Sequence, residues 1–277
     1  LTPHSTGERE TVESVDLPEL PADVTNRLSQ TLGLVVPCFN EARRLDLPAF
    51  RTFLEPTKGA FLLFVDDGST DATFEVLSAL VAHGAPGRAD VVRLPANVGK
   101  AEAVRHGLLR LLSRPNLEYV GFWDADLATP LDAIPDFLGV LRRHPEIEWV
   151  FGARVQLLGR DIRRRALRHY LGRVFATMAS LSLSLPVYDT QCGAKVFRAS
   201  NTLRTVLERA FVSRWIFDVE MIARLLALPA SVAGVEPGRG IYELPVRRWV
   251  DVSGSKVRPR DFARAIVDLA RIRRSAR

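Results

Sequence analysis

In the stretch WDADLATP, Trp123 to Pro130, Asp124 and Asp126 stand one residue apart directly after an apolar run. Two carboxylates at that spacing can reach one divalent cation. Hard oxygen ligands suit Mg²⁺ or Mn²⁺, which would bridge to a diphosphate and neutralise charge on a leaving group. A lone DxD is also a common solvated turn, so its weight comes from its place at a strand end. VDDGSTD, Val65 to Asp71, has the same build. Asp66 and Asp67 can accept hydrogen bonds from a base or a ribose. A capped strand-to-helix turn would need only one Asp or Ser. VVPCFNE, Val35 to Glu41, is by itself a strand and a turn.

These stretches need elements to position them. Buried strands are expected at Leu32 to Pro37, Ala60 to Asp67, 90–94, 118–123 and 148–153. Helices are expected at Leu47 to Leu54, Thr70 to His83, Val98 to Leu112 and Leu131 to Arg143, with Ser69 or Thr70 capping the second. Strands alternating with helices at this pitch make an α/β fold, a mostly parallel central sheet flanked by helices in a single domain. Such sheets carry function at the carboxyl ends of their strands, where all three motifs fall. The second half is less regular. It reads as a helix over Arg160 to Leu185, a loop over Tyr188 to Ala194, a short strand KVF, a helix over Phe217 to Leu228 and a strand IYELPV. Residues 1–30 read as a flexible arm, and residues 258–277 as a basic C-terminal helix.

The chain has 277 residues, 47% of them hydrophobic, enough for a large core. Residues 1–150 carry 14 basic and 22 acidic side chains; residues 151–277 carry 24 and 10. The basic half suits an anionic partner. Seven of its arginines (Arg154, Arg160, Arg163, Arg164, Arg165, Arg168 and Arg173) fall in one short region. They could lie near anionic headgroups or form a solvated basic face. Two cysteines, Cys38 and Cys192, offer no zinc site and fit a reducing cytoplasm. No apolar run is long enough to span a bilayer. A cytoplasmic location is therefore expected, with a peripheral place at the inner membrane face open. The first strand ends in PCFNE and not GxGxxG, which argues against a nicotinamide dehydrogenase. No glycine-rich Arg-Lys signature suggests a nucleotidyltransferase. Basic residues are not interleaved with aromatics as a nucleic-acid module would need. No nucleic-acid partner is expected; a non-catalytic anion-binding protein is the distant alternative.

The motifs VVPCFNE, VDDGSTD, NVGKAEAVRHG and WDADLATP, in this order and at these separations, resemble the family 2 glycosyltransferases. YDTQCGAKVF, RWIFDVEMI and WVDVSGSKV resemble the dolichyl-phosphate β-glucosyltransferase branch and its bacterial polyprenyl-phosphate relatives. The resemblance covers about Leu32 to Val257. It implies a GT-A domain over residues 31–257, with a nucleotide-binding half at 31–153 and an acceptor half at 154–257. It also implies inverting transfer of a hexose from a nucleotide-diphospho-sugar, with Mg²⁺ or Mn²⁺. Glucose from UDP-glucose to a lipid phosphate is preferred; GDP-mannose or a soluble hydroxyl acceptor is the alternative. Pro37, Asn40, Glu41, Asp66, Asp67, Lys100 and Asp124 would then bind the donor nucleotide. Asp124 and Asp126 would hold the metal, Asp126 being preferred as the direct ligand. Asp189, Gln191, Arg214 and Trp215 would lie at the sugar and acceptor, with Ser255 and Lys256 on phosphates. Asp218 and Glu220 would supply a base where the acceptor is a hydroxyl. Two residues apart on a helix, they diverge, so one of them is expected to face the site.

Overall fold

The computed structural model describes residues 31–55, 60–84, 87–163, 166–233, 238–252 and 259–275. Five strands and four helices alternate through the first half. They are β1 (Leu32–Cys38), α1 (Leu47–Phe53), β2 (Phe61–Asp66), α2 (Thr73–Gly84), β3 (Ala89–Arg93), α3 (Lys100–Leu112), β4 (Tyr119–Trp123), α4 (Ile134–Arg143) and β5 (Trp149–Ala153). There follow β6 (Asp161–Arg163), α5 (Ala166–Leu183), β7 (Ala194–Arg198), α6 (Asn201–Leu207), α7 (Phe217–Leu226), α8 (Ala230–Ala233), β8 (Ile241–Pro245), β9 (Arg248–Val250) and α9 (Pro259–Ser275).

Seven strands form one sheet in the order β3-β2-β1-β4-β7-β5-β8. The β1–β2, β1–β4, β2–β3 and β5–β8 pairs are parallel. β7 is inserted antiparallel between β4 and β5. Both faces are covered, which is why β4 and β5 are buried at every residue. Alternate side chains divide between two cores. Leu34, Val36, Leu62 and Phe64 pack with Phe50 of α1, Leu77 of α2 and Phe137 of α4. Val35, Leu63 and Val65 pack on the opposite face with Val104 and Leu108 of α3, Leu203 of α6 and Met221 of α7. A third cluster joins α5, α7 and α9 through Phe175, Ala179, Val219, Ala265, Leu269 and Ile272. The basic terminal helix is thus packed into the body of the molecule.

Two local expectations differ from the structure, and two short elements carried no signal. Arg160 to Leu185 is not one helix, because Asp161–Arg163 pairs with β9 before α5 begins. α2 starts at Thr73, beyond Ser69 and Thr70. There Asp71 accepts the Thr73 N–H at 3.0 Å, while Ser69 and Thr70 are held by the neighbouring loop. The helix α6 and the strand β9 carried too few residues to show a period.

From β1 the chain winds outward to β2 and β3, then returns to lay β4 on β1's other side. A crevice opens at such a reversal, beyond the carboxyl ends of the strands. The antiparallel β7 brings its amino end to the same edge, since Ala194 is level with Trp123. The loop that precedes β7 therefore enters the crevice opened by β1, β2 and β4.

Candidate active site

Asp124 follows β4 directly. Its backbone N–H donates to the Gly193 carbonyl at 2.8 Å, and a Cβ on Gly193 would overlap the Asp124 carboxylate. Only glycine lets the two loops approach this closely. Lys100, the first residue of α3, places Nζ 2.5 Å from Asp124 Oδ1. Burial disfavours the Lys100 charge, but Asp124 and then Asp218 outweigh it and raise its pKa. Past Asp124 the chain is closed into a tight loop. The Trp123 indole N–H donates to the Thr129 carbonyl at 2.7 Å, and Asp126 Oδ1 accepts the Ala128 N–H at 3.1 Å. Asp126 Oδ2 is left 3.8 Å from Arg44 Nη2. Burial, then the nearby Asp124 charge, pushes the Asp126 carboxyl up.

The two side chains are 34% and 28% exposed, so an ion could reach both. Their oxygens are hard donors, and the effect of Asp124 on Asp126 is the like-charge strain a dication relieves. Among the described residues no three His, Cys, Asp or Glu side chains gather into a metal site. The pair would fit a metal whose remaining ligands came from a substrate and water.

The β1 and β2 loops lock together. Asn40, at φ +51°, accepts the Thr70 N–H on Oδ1 at 2.9 Å and donates its own N–H to Ser69 Oγ. Glu41 donates its N–H to Thr73 Oγ1 at 2.8 Å, and its carboxylate meets Arg44 at 3.1 Å. Pro37, within β1, is half-buried. Asp66 accepts the Ser69 N–H and faces Arg93 at 3.3 Å. Asp67 accepts the side-chain N–H of Asn97 and the backbone N–H groups of Val98 and Gly99, at 2.8 to 2.9 Å. Both carboxylates are buried, and that of Asp67 builds the NVGK loop. That loop also takes Arg214, which donates to Asn97 Oδ1 at 2.6 Å. Gly99, at φ +97°, faces the Arg214 side chain where a Cβ would collide with it.

On the β7 side, Asp189 receives Arg154 in a two-pronged pair, Nε at 2.6 Å and Nη2 at 2.7 Å. It also accepts the Gln191 N–H at 3.1 Å. Glu243 of β8 accepts the Tyr188 and Asp189 N–H groups from below. Gln191 Nε2 in turn approaches Asp218 Oδ2 at 3.4 Å. Asp218 sits in the first turn of α7 and is 5% exposed. Lys195, fully buried in β7, reaches Asp218 Oδ1 at 2.7 Å between the rings of Phe122 and Phe151. Burial still raises the Asp218 carboxyl against the pull of Lys195 and Lys100.

Asp124, Asp126, Lys100, Gln191 and Asp218 thus form one connected polar group. Glu220 does not join it. Its carboxylate accepts the Val212 and Ser213 N–H groups and the Arg224 guanidinium at 2.6 Å. Trp215 does not join it either, being stacked against Phe175 at 6.4 Å. Ser255 and Lys256 lie outside the described residues, as do Arg164, Arg165 and the side chain of Arg168. Of the remaining arginines in that region, Arg163 pairs with its neighbour Asp161 at 2.8 Å, and Arg173 covers the Tyr188 ring at 3.8 Å. Both cysteines are buried.

A model of the glycosyl transferase family 2 matches residues 34–202. The chain belongs to this family. A dolichyl-phosphate beta-glucosyltransferase of Drosophila melanogaster is 34% identical, with 94% of this chain and 76% of the relative covered. The Homo sapiens protein of that name is 29% identical over 91% of this chain and 75% of its own length. Glucosyl-3-phosphoglycerate synthase of Mycobacterium tuberculosis, crystallised with Mn²⁺, UDP-glucose and phosphoglyceric acid, superposes with a TM-score of 0.64. At 18% identity, with 94% of this chain and 86% of that one covered, the likeness fixes the fold of this glycosyltransferase, GT-A.

Reading the sequence missed Lys195, Arg154 as the partner of Asp189, Glu243 and Arg44. Lys195 left a signal: a lysine inside the apolar strand AKVFR must find a carboxylate or remain an unpaired buried charge. Arg154 and Glu243 are joined to their partners only by strand order, as Arg44 is to Asp126, and motif spacing does not carry that order.

Proposed function

We propose that this glycosyltransferase moves glucose from UDP-glucose to a polyprenyl or dolichyl-type lipid phosphate, with inversion. The observation that carries the reaction class is the Asp124–Asp126 pair at the sheet's reversal point, with Lys100 against it and the β7 loop opposite. The dolichyl-phosphate glucosyltransferases, matched over most of the chain, support the sugar and the acceptor.

In this reading Asp124 and Asp126 hold Mg²⁺ or Mn²⁺. The metal, when bound, stabilises the diphosphate leaving group. The NVGK loop, braced by Asp67 and Arg214, presents Lys100 and the first amides of α3 toward the donor phosphates, where a helix N-terminus favours negative charge. Glu41 and Asn40 shape the wall on which the nucleotide lies. Gln191 orients the sugar from the β7 loop, and Asp189 with Arg154 fixes that loop. Asp218 borders the transferred sugar. A lipid phosphate is anionic at neutral pH and attacks without a strong base, so Asp218 there positions hydroxyl groups; a hydroxyl acceptor would need it as the base. Glu220 is a bracing group for the loop before α7.

Among the described residues, no helix is long and apolar enough to cross a membrane. Tyr170, Val174 and Leu181 recur on one side of α5 and are 69%, 58% and 73% exposed. α9 adds exposed Ile266 and Val267, with arginines in its last turn. We assign these helices to peripheral contact with an anionic bilayer, which would bring the crevice to its lipid acceptor.

The test is transfer of radiolabelled glucose from UDP-glucose with Mg²⁺ or Mn²⁺, with polyprenyl phosphate or soluble phosphorylated and hydroxyl acceptors offered separately. Label entering the organic phase with the polyprenyl phosphate is expected. Transfer only to a soluble acceptor, or only from GDP-mannose, would overturn the assignment of acceptor or donor.

A further inference from the structure

The cleft contains a cation of its own on one of the two carboxylates of the candidate metal pair. Lys100 Nζ lies 2.5 Å from Asp124 Oδ1, a full ion pair. It does so from the first position of a 13-residue helix, where a cation opposes the helix dipole. The helix start has no side-chain cap, Gly99 preceding it. Asp124 supplies the negative charge that such an end otherwise draws from a bound anion. Arg44 approaches Asp126 less closely, at 3.8 Å, and keeps a nearer partner in Glu41. Lys100 is therefore the cation held more closely to the carboxylate pair.

We propose that Lys100 is an internal competitor for the metal position, which couples entry of the divalent ion to entry of the nucleoside diphosphate. Without a diphosphate, Lys100 neutralises Asp124, and an added dication must displace it or bind beside an ammonium group. A diphosphate at the start of α3 offers Lys100 a stronger anion. The side chain then leaves Asp124, whose oxygens become available, and the two ligands bind each other's site more tightly than either binds alone. By linkage the coupling is reciprocal: the factor by which UDP tightens Mn²⁺ equals the factor by which Mn²⁺ tightens UDP. The inference rests on the reading of Asp124 and Asp126 as the metal-bearing pair. Its consequence is a protein that does not load free divalent ions.

The experiment is equilibrium Mn²⁺ binding followed by electron paramagnetic resonance, with and without UDP, corrected for the Mn²⁺–UDP complex in solution. Wild-type protein is expected to bind Mn²⁺ weakly alone and at least about tenfold more tightly with UDP, toward the lower end of ordinary coupling. K100M and K100Q are expected to bind Mn²⁺ alone about fivefold more tightly than wild type, the ratio a lost ion-pair competitor provides, and to lose that fivefold share of the coupling. K100R, which keeps the charge, should retain it. Equal Mn²⁺ affinity with and without UDP in the wild type overturns the proposal without any variant. So do K100M and K100Q proteins that bind Mn²⁺ alone no more tightly than wild type. D126N separates the two levels. If D126N loses Mn²⁺ binding while the Lys100 variants leave the coupling intact, only the competitor role fails; if D126N binds Mn²⁺ as wild type does, the metal-pair reading falls, and the competitor role with it.

Discussion

On the β1–β2 side of the crevice, the carboxylates of Asp66, Asp67 and Asp71 accept backbone amides, Asp66 and Asp71 from their own loop and Asp67 from the NVGK loop. On the β7 side, Asp189, Asp218 and Glu220 each face a cation, Arg154, Lys195 and Arg224, in places with little water. The first arrangement shapes a wall from amide bonds, which close a loop or lock it to its neighbour. The second is built of ion pairs, two of which join different elements while Glu220 and Arg224 lie one turn apart on α7, and every member depends on its partner remaining charged. Removing one partner of a buried pair costs more than removing one amide acceptor, because it leaves the other charge stranded. The two sides should therefore fail differently.

The largest effect belongs to neither side but to the pair between them. Asp126→Ala is expected to lower glucosyl transfer roughly 10³-fold, read as initial rate at saturating UDP-glucose, with the melting temperature close to wild type because the side chain is part-exposed. A comparable loss of stability would place Asp126 among the bracing groups. Asp218→Asn sharpens the acceptor question. With a lipid phosphate the rate should fall by no more than about tenfold, whereas loss of a general base costs about 10²- to 10⁴-fold. Asp189→Ala tests the β7 side as a structure. It strands the part-buried Arg154 and should lower the melting temperature by roughly 10 °C, from a penalty of about 3–5 kcal/mol. Asp67→Asn is the counterpart on the other side. It should cost about 1–3 kcal/mol, and its clearest readout should be weaker UDP binding as the NVGK loop loosens. Equal melting shifts for these two variants would dissolve the contrast.

The smallest effect is one of reactivity. Burial, then the Asp189 charge, raises the Cys192 thiol above its ordinary range. A raised thiol pKa leaves less thiolate at a given pH. Native protein at pH 8 should therefore be alkylated by iodoacetamide at Cys192 far more slowly than urea-unfolded protein. The rate should climb only at higher pH, and Asp189→Ala should abolish part of that protection.

The sheet's first five strands were legible because each is a short apolar run followed by a turn and a helical period, a local pattern. The same holds for the placing of Asp66, Asp67, Asp124 and Asp126 at strand ends. What those carboxylates touch was less legible. Asp67 faces Asn97, Val98 and Gly99 through the parallel β2–β3 register, and no spacing in VDDGSTD announces that. Asp218 and Glu220 illustrate the boundary well. Helical geometry said that they diverge, but the choice of Asp218 needed Lys195, which only the antiparallel insertion of β7 brings beneath it. The β6–β9 ribbon was invisible because three residues per strand show no alternation.

The insertion of β7 also governs the order in which this chain can fold. Among the described strands, β5 pairs only with β7 and β8, both made later. As the chain leaves the ribosome, β1 to β4 can pair and cover their faces with α1 to α3, each parallel crossover being closed soon after it is made. β5 emerges with two unsatisfied edges and a fully apolar sequence, and stays so until Ala194–Arg198 has been synthesised and threaded between it and β4. Such an exposed, hydrophobic, unpaired strand is what holding chaperones capture and what seeds aggregation. A split at Ala153, the seam that the two halves of the motif pattern suggest, would leave the first fragment in that waiting state permanently.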